Sequence, residues 1–269
     1  MPFAVTRLVI LVLLLLPSFI RVIPELPEGV HAVAVVKAPI LRSLREAVRG
    51  GDSLYYLEIA KEGYHGELSR NFPPGYPMAV AVVAAVTGEY WLTATFLSSL
   101  LMCAGLVALY RTSLAIGLTE DDADRAVLLC CVFPGTHFMS LPFAESLLFM
   151  SSTWAIYCAF SQRWWLAGVC GICASIAKIP GSLVILPMAV FYYQQYRFSL
   201  RRELVPILAV PFGLLGYWGY LYSRASLDFH EIQRRFGHAG VSFFLAPIWA
   251  YVKHPGAFSV WQIYPLHFS

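Results

Sequence analysis

A carboxylate precedes an aromatic, amphipathic stretch early in this sequence. Asp52 is followed by Tyr55 and Tyr56, with Ile59 and Ala60 on the same helical face. A carboxylate beside a reacting hydroxyl can accept its proton and act as a general base. The alternative is a structured loop next to a membrane, where aromatic side chains are expected in any case.

Two further charged residues lie inside apolar runs. Glu145 is flanked by apolar residues, and Lys178 stands in a long, nearly uncharged stretch before Pro180 and Gly181. A charge at the centre of a membrane helix costs about 2.5–3.5 kcal/mol, so such residues are candidates for function. Lys178 could hold a phosphate in a wet cavity opened by the Pro-Gly break. Alternatively, Glu145 reaches the membrane surface, and Lys178 pairs with Glu145 or Asp52 for folding alone.

A polar segment near the end of the sequence carries adjacent arginines. Gln233, Arg234 and Arg235 follow Phe229. Arginine suits phosphate recognition because its planar fork donates hydrogen bonds in pairs. These residues are therefore candidates for binding a phosphate, and a solvated loop is the alternative.

The composition restricts what surrounds these residues. The chain has 269 residues, of which 58% are hydrophobic and 13% charged, and its mean hydropathy is +0.64. Soluble domains carry about 25% charged residues, so we predict an integral membrane protein. A net charge of +3 gives no reason to expect a nucleic-acid partner. The six cysteines lie in apolar runs, and we expect neither a zinc site nor a disulfide.

Helices long enough to cross a bilayer must position the candidate residues. A crossing takes about 20 apolar residues, and the hydropathy pattern predicts an all-α, polytopic bundle with eight or nine membrane segments. We expect a single membrane domain over residues 1–269. Its parts are an uncleaved first helix at 4–23, a non-cytoplasmic loop at 24–75 with a surface helix at 38–48, and the remaining helices at 76–252.

The later elements have recognisable boundaries. The sequence predicts a helix over Trp91–Ile116, a helix start at Thr119, and a break between Pro134 and Glu145. It predicts two short helices on either side of Lys178, and a span over Leu204–Tyr222. The positive-inside rule places the loop with Arg197, Arg201 and Arg202 in the cytoplasm. This topology requires that the apolar run 76–86 does not cross completely.

These motifs, in this order, resemble the PIG-V-type mannosyltransferases. This is the GPI mannosyltransferase 2 family with its prokaryotic relatives, in the GT-C class of membrane glycosyltransferases. The family pattern is a Trp-Asp pair, aromatic residues, Ile-Ala and Gly-Tyr, then a Phe-Pro-Leu-Tyr-Pro motif. Later come Tyr-Ser-Glu-Ser, Ala-Ser-x-x-Arg-x-x-Gly and Phe-x-x-x-Gln. The matching residues are Asp52, Tyr55, Tyr56, Ile59, Ala60, Gly63, Tyr64, Phe72, Pro74, Tyr76, Pro77, Glu145, Ser146, Ala174, Ser175, Lys178, Gly181, Phe229 and Gln233.

The chain departs from the family pattern at several positions. Gly51 replaces the tryptophan, Phe143 and Ala144 replace Tyr-Ser, and Lys178 replaces the arginine. The lysine keeps the charge but loses the bidentate fork. The chain also ends at Ser269, earlier than we expect for this family, so we expect a truncated member, and the compact motifs and short loops favour a prokaryotic one.

The resemblance implies inverting transfer of a mannosyl unit from a polyprenyl- or dolichyl-phosphate donor to a lipid-linked or glycan acceptor. Asp52 would be the general base, with Glu145 orienting it or the acceptor. Lys178, Gln233, Arg234, Arg235, Tyr55, Tyr56 and Tyr76 would bind the substrate or the donor phosphate. We expect no metal cofactor, since the phosphate leaves with charge pairing alone. We also expect a multi-pass protein of a prokaryotic plasma membrane. The alternatives are an inactive accessory subunit of a membrane complex and a transporter of a lipid-linked substrate.

Overall fold

Over the described residues, the protein is a bundle of helices with one short pair of strands. The computed structural model describes residues 20–22, 33–35, 51–66, 68–197 and 199–225. Short 3₁₀ segments cover Leu68–Asn71, Pro134–Ser140 and Ile179–Val184. The helices are α1 (Ser53–Glu62), α2 (Gly75–Thr87), α3 (Tyr90–Ala115), α4 (Glu120–Val132), α5 (Glu145–Phe160), α6 (Trp164–Ala177), α7 (Ile185–Tyr196), α8 (Leu204–Leu208) and α9 (Phe212–Ala225).

Two strands correct one end of the predicted first helix. Strand β1 (Ile20–Val22) pairs antiparallel with β2 (Val33–Val35), with Ile20 opposite Val35. The prediction of a helix extending to residue 23 is therefore wrong at that end. Branched side chains favour extended backbone, and Pro24 disfavours helix at the residue before it. The rest of the predicted helix 4–23 and the predicted surface helix 38–48 lie outside the described residues.

Within the described residues, two helical stretches are long and apolar enough to cross a bilayer. These are α3, with 26 residues, and the 20-residue stretch Leu204–Ser223 that contains α8 and most of α9. Helices α2 and α6 are apolar but shorter. The predicted total of eight or nine membrane segments stays a prediction, because length and composition identify only these two spans in the described chain.

Helix α5 packs closely between α3 and α6. The Trp154 indole Nε1 donates a hydrogen bond to the Ala104 carbonyl at 3.0 Å. Small residues such as Ala108 and Ala155, both fully buried, allow the helices to approach. The close packing restricts sliding of α5 along α3 and α6.

The ends of the bundle differ in their charged residues. Near the start of α3, Ala94 packs in one cluster with Ala144 and Leu147 at the start of α5. Further along, the Arg111 guanidinium lies 5.8 Å above the Trp154 ring, so α3 and α5 run in the same direction. Because only a short turn separates α5 from α6, α6 runs back. We call the end with Glu145 and Lys178 the acidic-site end, and the end with Arg111 and Arg163 the arginine end.

Helix α2 lies at the acidic-site end of the bundle. The Tyr76 hydroxyl reaches the Ala94 carbonyl at 3.1 Å, and the Thr87 hydroxyl contacts the Thr93 hydroxyl at 2.6 Å. Helix α2 therefore pairs with only the first turns of α3. Its 13 residues do not extend along the rest of that helix.

Candidate functional site

An ion pair joins two of the predicted site residues across the helix bundle. The Lys178 Nζ donates to Oε1 of Glu145 at 2.5 Å, and the two side chains are 32% and 27% exposed. The second carboxylate oxygen of Glu145, Oε2, is buried without a hydrogen-bond partner in the described structure. An unpaired buried acceptor is costly, so this oxygen is suited to receive a hydrogen bond from a ligand.

The local sequence explains how the pair forms. Glu145 is the first residue of α5, where the partial positive charge of the helix N-terminus favours a carboxylate. Lys178 follows the last residue of α6 in extended conformation, with φ −160° and ψ 149°. Pro180 then prevents a continuous helix and the chain continues as a 3₁₀ turn. The break predicted from the sequence around Lys178 is confirmed.

Tyr56 lies within electrostatic range of both predicted catalytic carboxylates. Its side chain is 1% exposed. Burial raises the pKa of Tyr56 well above its ordinary value, and the negative charges of Glu145 and Asp52 raise it further. Tyr56 therefore stays a neutral phenol near two acids. Tyr56 also packs in one buried cluster with Ala144, the residue before Glu145, so α1 lies beside the start of α5.

Asp52 occupies the N-cap position of α1. Its side chain makes no capping hydrogen bond to the first turn of the helix. The preceding Gly51 adopts a left-handed φ of 59°. Tryptophan, which the family pattern has there, rarely takes that conformation. The departure at Gly51 therefore coincides with a turn that favours glycine.

The aromatic side chains of Tyr55, Tyr56, Phe72 and Tyr76 pack against one another, and we call this group the aromatic wall. Tyr55 stacks on Phe72 with ring centroids 4.9 Å apart, and Tyr56 meets Phe72 and Tyr76 edge-on at 5.1 and 5.4 Å. Tyr76 is fully buried, and its hydroxyl contacts the Ser98 hydroxyl at 2.7 Å. In the described structure Tyr76 thus supports the site from within the core, while its predicted role in binding stays a prediction.

A close backbone contact joins the motif at residues 72–77 to the motif at residues 174–181, which contains Lys178. A Cβ on Gly75 would lie 2.7 Å from the Ile176 carbonyl oxygen and 3.0 Å from the Ala177 nitrogen. Only glycine leaves room for that approach. Residues Tyr56, Phe72, Tyr76, Ala144 and Ala177 accordingly belong to one buried cluster. The motifs at 52–64, 72–77, 143–146 and 174–181 therefore converge on one region.

Two tyrosines that the sequence did not single out as a pair tether the loop before α2. The Tyr64 hydroxyl donates to the Phe72 carbonyl at 2.7 Å. The Tyr217 hydroxyl lies 3.0 Å from the same carbonyl and 2.7 Å from that of Arg70. The sequence contains no local signal for this contact, because Tyr217 is 145 positions from Phe72.

An apolar groove lies beside this tether, between α1, α2, α6 and α9. Its volume is about 500 Å³. The groove shares Tyr64 and Tyr217 with the tether, so it adjoins the loop that leads to the aromatic wall. Its other lining residues are Ile59, Gly63, Pro74, Pro77, Met78, Ala81, Ile176, Phe212, Gly213, Gly216 and Tyr220.

Part of the predicted site cannot be placed. Gln233, Arg234 and Arg235, together with Phe229, lie outside the described residues. Within the part of the chain that is described, no three His, Cys, Asp or Glu side chains gather at one point. The prediction that no metal takes part is not tested by this observation.

The comparison with protein families agrees with the motifs. The family model described as Mannosyltransferase (PIG-V) matches residues 5–218, which is most of the chain. The protein is therefore a glycosyltransferase of the mannosyltransferase type. More particularly, the chain belongs to the PIG-V mannosyltransferase family. Comparisons with curated proteins and with solved structures find no match.

Proposed function

We propose that the chain is a multi-pass enzyme that transfers a mannosyl unit from a polyprenyl- or dolichyl-phosphate to a hydroxyl of a lipid-linked or glycan acceptor. The family match supports the reaction type. The observation that carries the proposed site is the ion pair of Glu145 with Lys178, formed beside the buried cluster that contains Tyr56. A prokaryotic plasma membrane is the proposed location.

In the proposed reaction Asp52 is the general base. The acceptor oxygen attacks the anomeric carbon, the bond from that carbon to the phosphate oxygen breaks, and the hydroxyl proton passes to the Asp52 carboxylate. One displacement inverts the anomeric centre, and the lipid phosphate leaves. General-base assistance of this kind contributes about 10²–10⁴-fold in rate. The support for Asp52 is its place at the N-terminus of α1, where its negative charge acts on the buried Tyr56.

Glu145 and Lys178 have complementary roles in this proposal. The free Oε2 of Glu145 accepts a hydrogen bond from a sugar hydroxyl, while Oε1 holds the lysine. An ammonium group has three donors, so Lys178 retains two after binding Glu145. These two stabilise the charge that develops on the departing phosphate. Arg234, Arg235 and Gln233 are proposed to complete the phosphate site.

The apolar groove is the proposed place for the lipid chain of the donor. Its lining is almost entirely hydrophobic, and it adjoins the tethered loop of the acidic site. A polyprenyl chain in this groove would direct its phosphate towards the acidic-site end.

Sugar transfer by the purified full chain, reconstituted in lipid, tests the proposal. The donor is polyprenyl-phosphate [¹⁴C]mannose and the acceptor is a lipid extract. We expect Asp52→Asn to lower the transfer rate about 10²–10⁴-fold. Glu58→Gln is the matched control, because Glu58 lies exposed on the same helix, and its rate should equal that of the wild type.

Each other outcome rejects a defined part of the proposal. Equal rates for wild type and Asp52→Asn would remove Asp52 from the mechanism. Absence of transfer with every polyprenyl-phosphate sugar would favour the accessory subunit or transporter. Full activity in the presence of a chelator is expected, and loss of activity that added metal restores would overturn the metal-free reaction.

A further inference from the structure

A second cavity lies at the arginine end of the bundle. Its volume is about 390 Å³, and its walls include Arg163, Trp164, Trp165, Tyr196, Arg202 and Glu203. Helix α6 separates this cavity from Lys178. Its 14 residues place the two ends about 21 Å apart. The cavity is therefore distinct from the proposed transfer site.

The cavity surrounds an uncapped helix start. Arg163 occupies the N-cap position of α6 and makes no capping hydrogen bond with its side chain. The first backbone N–H groups of a helix have no partner within the helix and carry partial positive charge. Residues of this first turn line the cavity. A bound anion could accept hydrogen bonds from these N–H groups in place of a capping side chain.

Side chains around the cavity add positive charge and an unpartnered donor. Among the described residues that line the cavity, Arg163 and Arg202 are positively charged and Glu203, which Arg202 contacts at 3.4 Å, is the one acid, so this lining has a net positive charge. The Arg201 guanidinium lies 4.8 Å above the ring of Tyr196, a residue that lines the cavity. Trp164 is 3% exposed, and its indole N–H has no acceptor in the described structure.

The surroundings of the cavity match a membrane surface. Trp165 is 60% exposed and Leu166 54% exposed, and they lie directly beside the arginines. Exposed tryptophan next to basic residues is typical of the boundary between lipid tails and headgroups. Basic pockets between membrane helices bind anionic lipid headgroups. A free phosphate ion would use the arginines but not the apolar pair.

We infer that this cavity binds the phosphate headgroup of an anionic phospholipid. The guanidinium groups of Arg163 and Arg202 and the first N–H groups of α6 bind the phosphate oxygens. Trp165 and Leu166 contact the upper part of the acyl chains. The site is independent of sugar transfer, and an Asp52→Asn protein should retain it.

Lipid binding by the purified full chain in detergent tests this inference. Native mass spectrometry would measure the affinity for phosphatidylglycerol, with phosphatidylcholine as the neutral lipid. Each of Arg163→Gln and Arg202→Gln should weaken phosphatidylglycerol binding about tenfold or more, because a charged hydrogen bond is lost. Both arginines are exposed, so the fold should not change. Arg125→Gln, at an exposed arginine outside the cavity, should bind as the wild type does.

A competition experiment separates the two sources of phosphate. Inorganic phosphate at millimolar concentration should not displace phosphatidylglycerol. Displacement by inorganic phosphate would overturn the lipid assignment and leave a site for small anions. Equal affinity for phosphatidylcholine and phosphatidylglycerol, or equal losses in Arg163→Gln and Arg125→Gln, would overturn the inference altogether.

Discussion

The ammonium group of Lys178, directly after α6, is bound to the carboxylate of Glu145, the first residue of α5, at 2.5 Å. The pair closes the acidic-site end of the two most closely packed helices. It uses one oxygen of the carboxylate and leaves the other buried without a partner in the described structure. The pair therefore links the start of α5 to the end of α6 and leaves one carboxylate oxygen without a hydrogen bond in the described structure.

Breaking this ion pair should destabilise the protein. Lys178→Met and Glu145→Gln should each lower the free energy of unfolding by about 1–2 kcal/mol, because each leaves one partly buried charge unpaired. The double variant should lose less than the sum, with a coupling energy of about 0.5–1 kcal/mol or more. Denaturant titration in micelles measures all four proteins. Strict additivity would contradict a direct interaction.

A methyl group at Gly75 should loosen the junction between α2 and α6. The added Cβ would meet backbone atoms of Ile176 at 2.7 Å, and backbone cannot rotate away as a side chain can. Gly75→Ala should therefore cost about 1–3 kcal/mol. Gly219→Ala is the matched control, since its Cβ meets nothing within 4 Å on a helix, and it should gain about 0.5–1 kcal/mol. Thermal unfolding compares them, and a stable Gly75→Ala would contradict the contact.

Filling the apolar groove should discriminate between donors by chain length. Gly216→Leu adds a side chain where a Cβ meets nothing within 4 Å, so the fold should tolerate it. The KM for a long polyprenyl donor should rise about fivefold or more, which corresponds to about 1 kcal/mol of lost contact. A donor of two isoprene units should keep its KM. Gly219→Leu, outside the groove, should alter neither value, and equal effects on both donors would place the lipid chain elsewhere.

Alkaline pH should destabilise the protein partly through Tyr56. Its folded pKa lies above the unfolded value of 10.0, so its contribution is complete below pH 10 and is lost as pH rises towards the folded pKa. The fall in unfolding midpoint between pH 8 and pH 11 should be smaller in Tyr56→Phe than in the wild type. Tyr222→Phe, at a tyrosine that is 76% exposed, should behave as the wild type does. Identical falls in all three proteins would contradict this assignment.

The sequence predicted the apolar helices well because their signals are local. The predicted helix Trp91–Ile116 corresponds to α3, and the predicted start at Thr119 is confirmed by its hydrogen bond from the Asp122 nitrogen at 3.2 Å. The break at Lys178 is also confirmed, since Pro180 cannot continue a helix. The predicted span Leu204–Tyr222 corresponds to the apolar stretch Leu204–Ser223, although the structure interrupts it between α8 and α9.

Contacts between distant residues were harder to predict. The pair of Glu145 and Lys178 was only one of several alternatives, because hydropathy does not say which charges meet. The tether of Tyr217 to Phe72 had no sequence signal, since it depends on how α9 packs. The strand at Ile20–Val22 was missed because a short apolar run favours helix and strand about equally.

The Tyr217 hydroxyl also has a consequence for the order in which the site assembles. Its acceptor, the Phe72 carbonyl, leaves the ribosome 145 residues earlier. The nascent loop between α1 and α2 therefore lacks this hydrogen bond while α3 to α8 are synthesised. Assembly of the acidic-site end is completed only after α9 has been synthesised, so a translational pause before α9 would prolong an intermediate that lacks this hydrogen bond.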